Sequence, residues 1–145
     1  MVAVHVAVGV AVLVTSLGAG LWGAYAWYRE QPSVGFWYLL RVAQATMVLQ
    51  AFVGTILLGT GREAVEGLHY LYGILPIFVS MLAEAIRGGA GARELEGIDF
   101  DALPPERQRL IALAIVRRET GIMAVSALVV FGLALRAAGT SAGLF

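Results

Sequence analysis

The chain has no cysteine and no lysine. Without a thiol there is no disulfide, no cysteine-held iron–sulfur cluster, no thiolate zinc site and no thiol redox chemistry. Charge is scarce as well. Ten basic and ten acidic side chains cancel over 145 residues, so no basic footprint for nucleic acid is present. The two histidines have neither cysteine nor carboxylate beside them in the sequence, which leaves a zinc ion short of ligands. Met47, Met81 and Met123 fall on different apolar segments and suggest no copper-type methionine cluster. No serine or threonine has a base and an orienting acid near it, so nucleophilic catalysis lacks its machinery.

What the chain does have is apolar length. Charge-free runs cover 2–28, 42–61, 67–83 and 120–135. Each is close to the roughly 20 residues a helix needs to cross about 30 Å of hydrocarbon. Peptide groups find no partner in lipid, and the alternating strands of a barrel are missing, so these runs must cross as helices. The first run has no positively charged start, is too long for a signal peptide and ends in "YAWYRE" rather than small residues, so it reads as a retained span. The expected fold is all-α: an integral membrane, up-down-up-down four-helix bundle forming one domain over 1–145. Its spans lie near 3–28, 36–60, 66–87 and 119–137, with a cytoplasmic loop and amphipathic extension over 88–118.

Arginines set the orientation, because basic residues accumulate in short cytoplasmic loops. Arg29 and Arg41 flank the first connection, and Arg87, Arg93, Arg107, Arg109, Arg117 and Arg118 surround the third. Arg62 and Arg136 fall on the opposite side. Both termini are therefore expected outside, in the plasma membrane of a bacterium or archaeon, with membrane lipids as surroundings. In the third connection, "RGGAGARELEGIDFDALPPERQ", glycines are expected to release the third helix. Pro104, Pro105 and Glu106 mark the start of a new one. The stretch after them, "ERQRLIALAIVRRE", suits either the inner membrane surface or an extension of the fourth helix.

Steps of three and four residues from His5 pass Gly9, Val12, Ser16, Gly20, Gly23 and Trp27, a stripe of small and polar residues suited to close helix packing. The third span has a similar line: His69, Gly73, Pro76, Ser80 and Glu84, with Arg87 spaced to pair with Glu84. On the second span Gln50 is costly in lipid and is expected to hydrogen-bond inside the bundle. The fourth span is plain and reads as packing.

The two histidines open the first and third spans, so antiparallel topology puts both just inside the same boundary. Adjacent helix axes about 10 Å apart give a diagonal of about 14 Å, room for two imidazoles with a flat macrocycle between them. Gly9 and Gly73 are expected to leave space at its edge. Iron of a b-type haem takes two axial imidazoles, and this geometry suggests that ligand. Tyr72 shares a face with His69 and can meet a propionate, and Arg62 in the outer turn is the basic residue expected to pair with one.

"MVLQAFVGTILL" on the second span, "GLHYLYGILP" on the third and a histidine on the first are similar to the four-helix half-bundle of haem A synthase and related b-haem membrane proteins. In that pattern a glutamine four residues before a glycine, here Gln50 and Gly54, marks one helix, while histidines on the flanking helices hold haem. The resemblance covers the first three spans and implies His5 and His69 as axial ligands. Two features of the family are missing: Val6 stands where an arginine usually follows the first histidine, and the first span carries no acidic residue for oxidising a haem methyl group. The resemblance thus implies haem binding in electron transfer or haem handling rather than haem A synthesis.

Two other readings stand beside it. One is a cofactor-free accessory or scaffold subunit, whose small-residue faces meet partner subunits or a second copy of the chain. The other is a quinone or lipid-substrate pocket lined by His69, Tyr70 and Tyr72, although interfacial tyrosines ordinarily act as anchors. No catalytic residue is assigned, and whether the chain is an enzyme stays open. The orientation is tested by fusing reporters to the C-terminus: an exported phosphatase should be active and a cytoplasmic fluorescent protein dark, and the reverse result contradicts the arginine rule.

Overall fold

The computed structural model describes residues 1–64 and 66–142; Val65 in the second turn and residues 143–145 at the C-terminus lie outside the described residues. Four helices follow in order: α1 (Val2–Tyr28), α2 (Val34–Gly59), α3 (Leu68–Glu94) and α4 (Pro105–Ala142). No strand occurs among the described residues. Each helix contains a stretch long and apolar enough to cross a membrane, and the chain is a four-helix bundle of the membrane type.

Local chemistry explains where the helices start and stop. Ser33 accepts the Phe36 amide at 3.3 Å and caps α2. Gly61, at a φ of 78°, takes the left-handed conformation that ends α2, and the Arg62 amide donates back to the Leu57 carbonyl. Pro105 opens α4 with Glu106 in its first turn, as the sequence indicates. Gln108 fastens the preceding loop by donating to the carbonyls of Phe100 and Leu103.

In the bundle α4 packs against both α1 and α3, and α1 packs against α2, whereas α2 and α3 barely meet. The fourth span, plain in sequence, is thus the central one: 39% of its apolar window is buried, against 17–22% for the other three. The face α1 buries is Val12, Ser16, Ala19, Gly20, Gly23 and Ala26, which is the small-residue stripe read from the sequence except at its end. Trp27 is 43% exposed and lies across Gly121, where an added Cβ would come within 2.9 Å of the indole.

Glycine is needed on α1 for a steric reason. A Cβ at Gly23 would sit 2.5 Å from the Phe36 ring and 2.8 Å from the Ala124 methyl, and one at Gly20 would sit 2.5 Å from Leu128. Phe36 itself is fully buried among Ala19, Leu40, Ala43, Ala83, Met123 and Ala127. Backbones that approach this closely gain the dispersion contacts that replace the hydrophobic effect inside lipid.

The third connection differs from expectation. α3 does not end at its glycines but runs through Gly88, Gly89 and Gly91 to Glu94. Three contacts stabilise the extra turns. Ala90 is fully buried, Gly91 brings the backbone against Ile115, and Arg93 donates to the Gly89 carbonyl at 3.2 Å. Glu94 also pairs with Arg118 at 2.9 Å. The segment expected as a loop and amphipathic extension is therefore a helical hairpin, in which the ends of α3 and α4 continue past the apolar spans. Of the two placements left open for the stretch after Pro105, the structure has the continuous extension of α4.

These contacts fix a contrast between two glycines. Gly23→Val should destabilise the detergent-solubilised protein by about 2 kcal/mol, the usual scale of overpacking. Gly73→Ala, where an added Cβ meets nothing within 4 Å, should leave stability unchanged or raise it by up to about 1 kcal/mol. Thermal unfolding midpoints of the two variants check the contrast; equal losses contradict it.

Candidate functional site: a histidine pair at one end of the bundle

His5 stands in the first turn of α1 and His69 at the second residue of α3, so the antiparallel arrangement brings both to one end of the bundle. Their ring centroids are 6.1 Å apart with the planes at 60°. Each ring also touches a further helix. The Gln50 amide on α2 donates to His5 Nε2 at 3.2 Å, and His69 Nδ1 lies 2.9 Å from the Ala137 carbonyl on α4. All four helices thus contribute to one small polar cluster.

Gln50 and Gly54 form a notch for the first imidazole. A Cβ at Gly54 would come within 3.2 Å of His5 Cε1, so the missing side chain is what lets the ring lie on α2. Gln50, expected to bond within the bundle, finds its partner here. The arrangement nevertheless leaves two buried polar atoms, His5 Nδ1 and Gln50 Oε1, without a partner. Buried polar atoms are rarely left so, and in native proteins those that are often belong to ligand sites. On the other histidine, a carbonyl can only accept, so Nδ1 carries the hydrogen and Nε2 keeps a free lone pair. Metal-binding imidazoles are commonly oriented in this way.

The other residues singled out from the sequence lie around this pair in different ways. Gly9 faces the Gln50 amide, 3.1 Å from where its Cβ would be, while Gly73 is exposed with open space beside it. The two glycines therefore do not frame one slot together. Tyr72 is half-buried, and its ring lies under the Arg136 guanidinium at 5.9 Å. Arg62 is exposed in the turn after α2. Arg136, next to the Ala137 carbonyl that receives His69, is thus a second cation at this end beside Arg62. The signal was present in the sequence as a lone arginine closing the fourth apolar run. Tyr70 acts as an anchor, its hydroxyl accepting the Ala64 amide at 2.9 Å and its ring edge-on to His69 at 6.2 Å.

The opposite end of the bundle carries a clamp. Glu84 accepts from Arg41 and from Gln44, the latter at 3.0 Å, and pairs with Arg87 at 2.8 Å. Arg87 reaches Glu119 on α4 at 3.5 Å and lies 5.5 Å from the centre of the Trp37 ring. The Glu84–Arg87 pair is the one read from the spacing; Arg41, Gln44 and Glu119 join it only through the fold. Two carboxylates here balance two guanidiniums, and the clamp ties α2 to α3, two helices that otherwise make few contacts.

Among the described residues no group of three or more His, Asp or Glu side chains is arranged to hold a metal ion by itself. Comparison with known protein families, curated proteins and solved structures gives no match to this chain. The reading of the site therefore rests on its geometry.

The hydrogen bonds assign both imidazoles the tautomer with hydrogen on Nδ1: His5 because the amide donates to its Nε2, His69 because its Nδ1 faces a carbonyl. Ring nitrogen shifts in ¹⁵N-histidine-labelled, cofactor-free protein should show that pattern for both. Gln50→Leu should free His5 to exchange between tautomers while His69 keeps its own. An Nε2–H ring at position 5 in the unsubstituted protein contradicts the assignment.

Proposed function

We propose that this membrane bundle binds b-type haem between His5 and His69 and serves in electron transfer or haem handling. The observation that carries the reading is the 6.1 Å ring separation across the bundle, with a buried His5 nitrogen that has no protein partner. Two metal–imidazole bonds of about 2 Å each, together with the rings' own half-widths, account for a separation of this size. His69 offers Nε2, its other nitrogen being held by Ala137. His5 offers Nε2 once the Gln50 amide is relieved of it, or Nδ1 once its hydrogen moves to Nε2 and the Gln50 amide turns so that its free Oε1 accepts it. The donor set of two neutral imidazoles in an apolar bundle suits haem iron and leaves a bare divalent ion short of ligands.

The chain's own residues would do the following. His5 and His69 hold the iron, Gly54 keeps the α2 surface flat beneath the His5 ring, and Gly73 leaves the α3 surface open. Arg136, steadied over Tyr72, and Arg62 in the adjacent turn supply positive charge for the propionates. The weakly packed seam between α2 and α3 gives a flat apolar molecule a route from the lipid. Bound haem supplies one-electron redox chemistry; no enzymatic residue is assigned. The arginine asymmetry supports an orientation with this end and both termini outside the plasma membrane.

A second reading, a cofactor-free accessory subunit, is favoured by the fact that each imidazole already has one protein hydrogen bond. It leaves His5 Nδ1 and Gln50 Oε1 buried without partners, at a cost of about 1–3 kcal/mol each, which is why the haem reading is preferred.

The experiment is a reduced-minus-oxidised visible spectrum of the protein purified from haem-replete membranes. Sharp b-type bands are expected, lost in both His5→Ala and His69→Ala and retained in Tyr70→Phe. A colourless but folded protein supports the accessory-subunit reading instead, and bands indifferent to both histidines contradict the assigned ligands.

A further inference from the structure

A second polar group lies half-way along the bundle, away from the histidines. Ser16 of α1 is 1% exposed, and its Oγ has no partner. It lines a small space on the bundle axis together with Gln44 of α2, Ser80 of α3 and Ser126 of α4. Ser80 and Ser126 are buried too, each 7% exposed. The space offers about 10 Å³ to the centre of a water molecule, close to the roughly 10–15 Å³ that one water needs.

We infer that this space is a water site, filled from the Glu84 end of the bundle and sealed from the histidine pair. On the Glu84 side one polar line runs past the apolar cluster of Ala19, Leu40 and Met123 that otherwise fills this part of the bundle. Gln44 Nε2 donates to Glu84 Oε1 at 3.0 Å and to Ser80 Oγ at 3.1 Å. Glu84 keeps about a quarter of its side chain exposed, and its partner Arg41 keeps half. A water beyond Ser80 meets the hydroxyls of Ser16 and Ser126, giving it the two to four polar partners that internal waters have and giving Ser16 the hydrogen bond it otherwise lacks. On the other side, one helical turn nearer the histidines, Val12, Met47 and Val130 close into a buried apolar cluster with Ile77, Val79 and Ala134 around it. Water therefore reaches mid-membrane from one side only, and the apolar cluster insulates the imidazoles from it. This inference is independent of what the histidines bind.

The absence of cysteine makes the test clean, because any thiol introduced is the only one present. Ser16→Cys, Ser80→Cys and Val12→Cys are reconstituted singly in sealed vesicles and exposed to silver ion, a probe comparable in size to water. Thiols left free are then counted after denaturation. Arg93→Cys, on the exposed extension of α3, marks the vesicles in which the Glu84 end faces the reagent. Silver added on that side should consume the thiols of Ser16→Cys and Ser80→Cys and leave that of Val12→Cys free. Added on the histidine side, it should leave all three free. A Ser16→Cys thiol that stays free from the Glu84 side, or is consumed equally from the histidine side, overturns the inference. Should Ser16→Cys fail to fold, Ser126→Cys faces the same space and is read by the same outcomes.

Discussion

Hydrocarbon offers a buried polar side chain no partner, and this constraint organises the molecule. Its intramembrane polar groups are gathered into levels rather than scattered. His5, Gln50 and His69 occupy one end, Thr15 and Thr46 approach within 3.3 Å on the α1–α2 face, the serines ring the axis, and Glu84 with its arginines closes the other end. Between the levels lie apolar layers built around Phe36 and Met123 and around Val12, Met47 and Val130. Hydrogen bonds between membrane helices contribute only about 0.6–2 kcal/mol apiece. Their value here is in register: each level fixes how far one helix slides along another, and the histidine pair exists only if all four registers agree.

Close packing and opening are divided between different pairs of helices. α1 and α4 meet through Gly20, Gly23, Gly121 and Ala124, where almost any larger residue would collide. α2 and α3, by contrast, make few contacts with each other and are joined by the Glu84 clamp at one end. The bundle is thus close-packed on three sides and clamped on the fourth.

The four spans and the buried stripe of α1 were legible in the sequence because charge-free length and small-residue spacing are local properties of the chain. The shared depth of His5 and His69 was legible too, since antiparallel topology follows from short connections. What was not legible depended on which helix faces which. Ala137 receives His69 through a backbone carbonyl that carries no side-chain signature, and Arg136 gained its place only when α4 proved to lie between α1 and α3. The glycines of "RGGAGARE" were misread for a related reason. Their helix-breaking tendency costs about 1 kcal/mol each, and burial of Ala90 with contact to Ile115 outweighs it, a tertiary term invisible to local propensity. Gly9 and Gly73 were paired by position along their helices, but the direction of each missing side chain separates them.

The account turns on the facing of two rings across the bundle axis, and the cysteine-free background allows that to be measured without any cofactor. In the double variant His5→Cys with His69→Cys, a short bifunctional thiol reagent should bridge both positions within one chain, adding a single linker to the intact mass. The pair His5→Cys with Glu84→Cys, at opposite ends of the bundle, should take up two separate adducts. Two adducts on the histidine pair would show the positions facing apart and contradict the account at its centre.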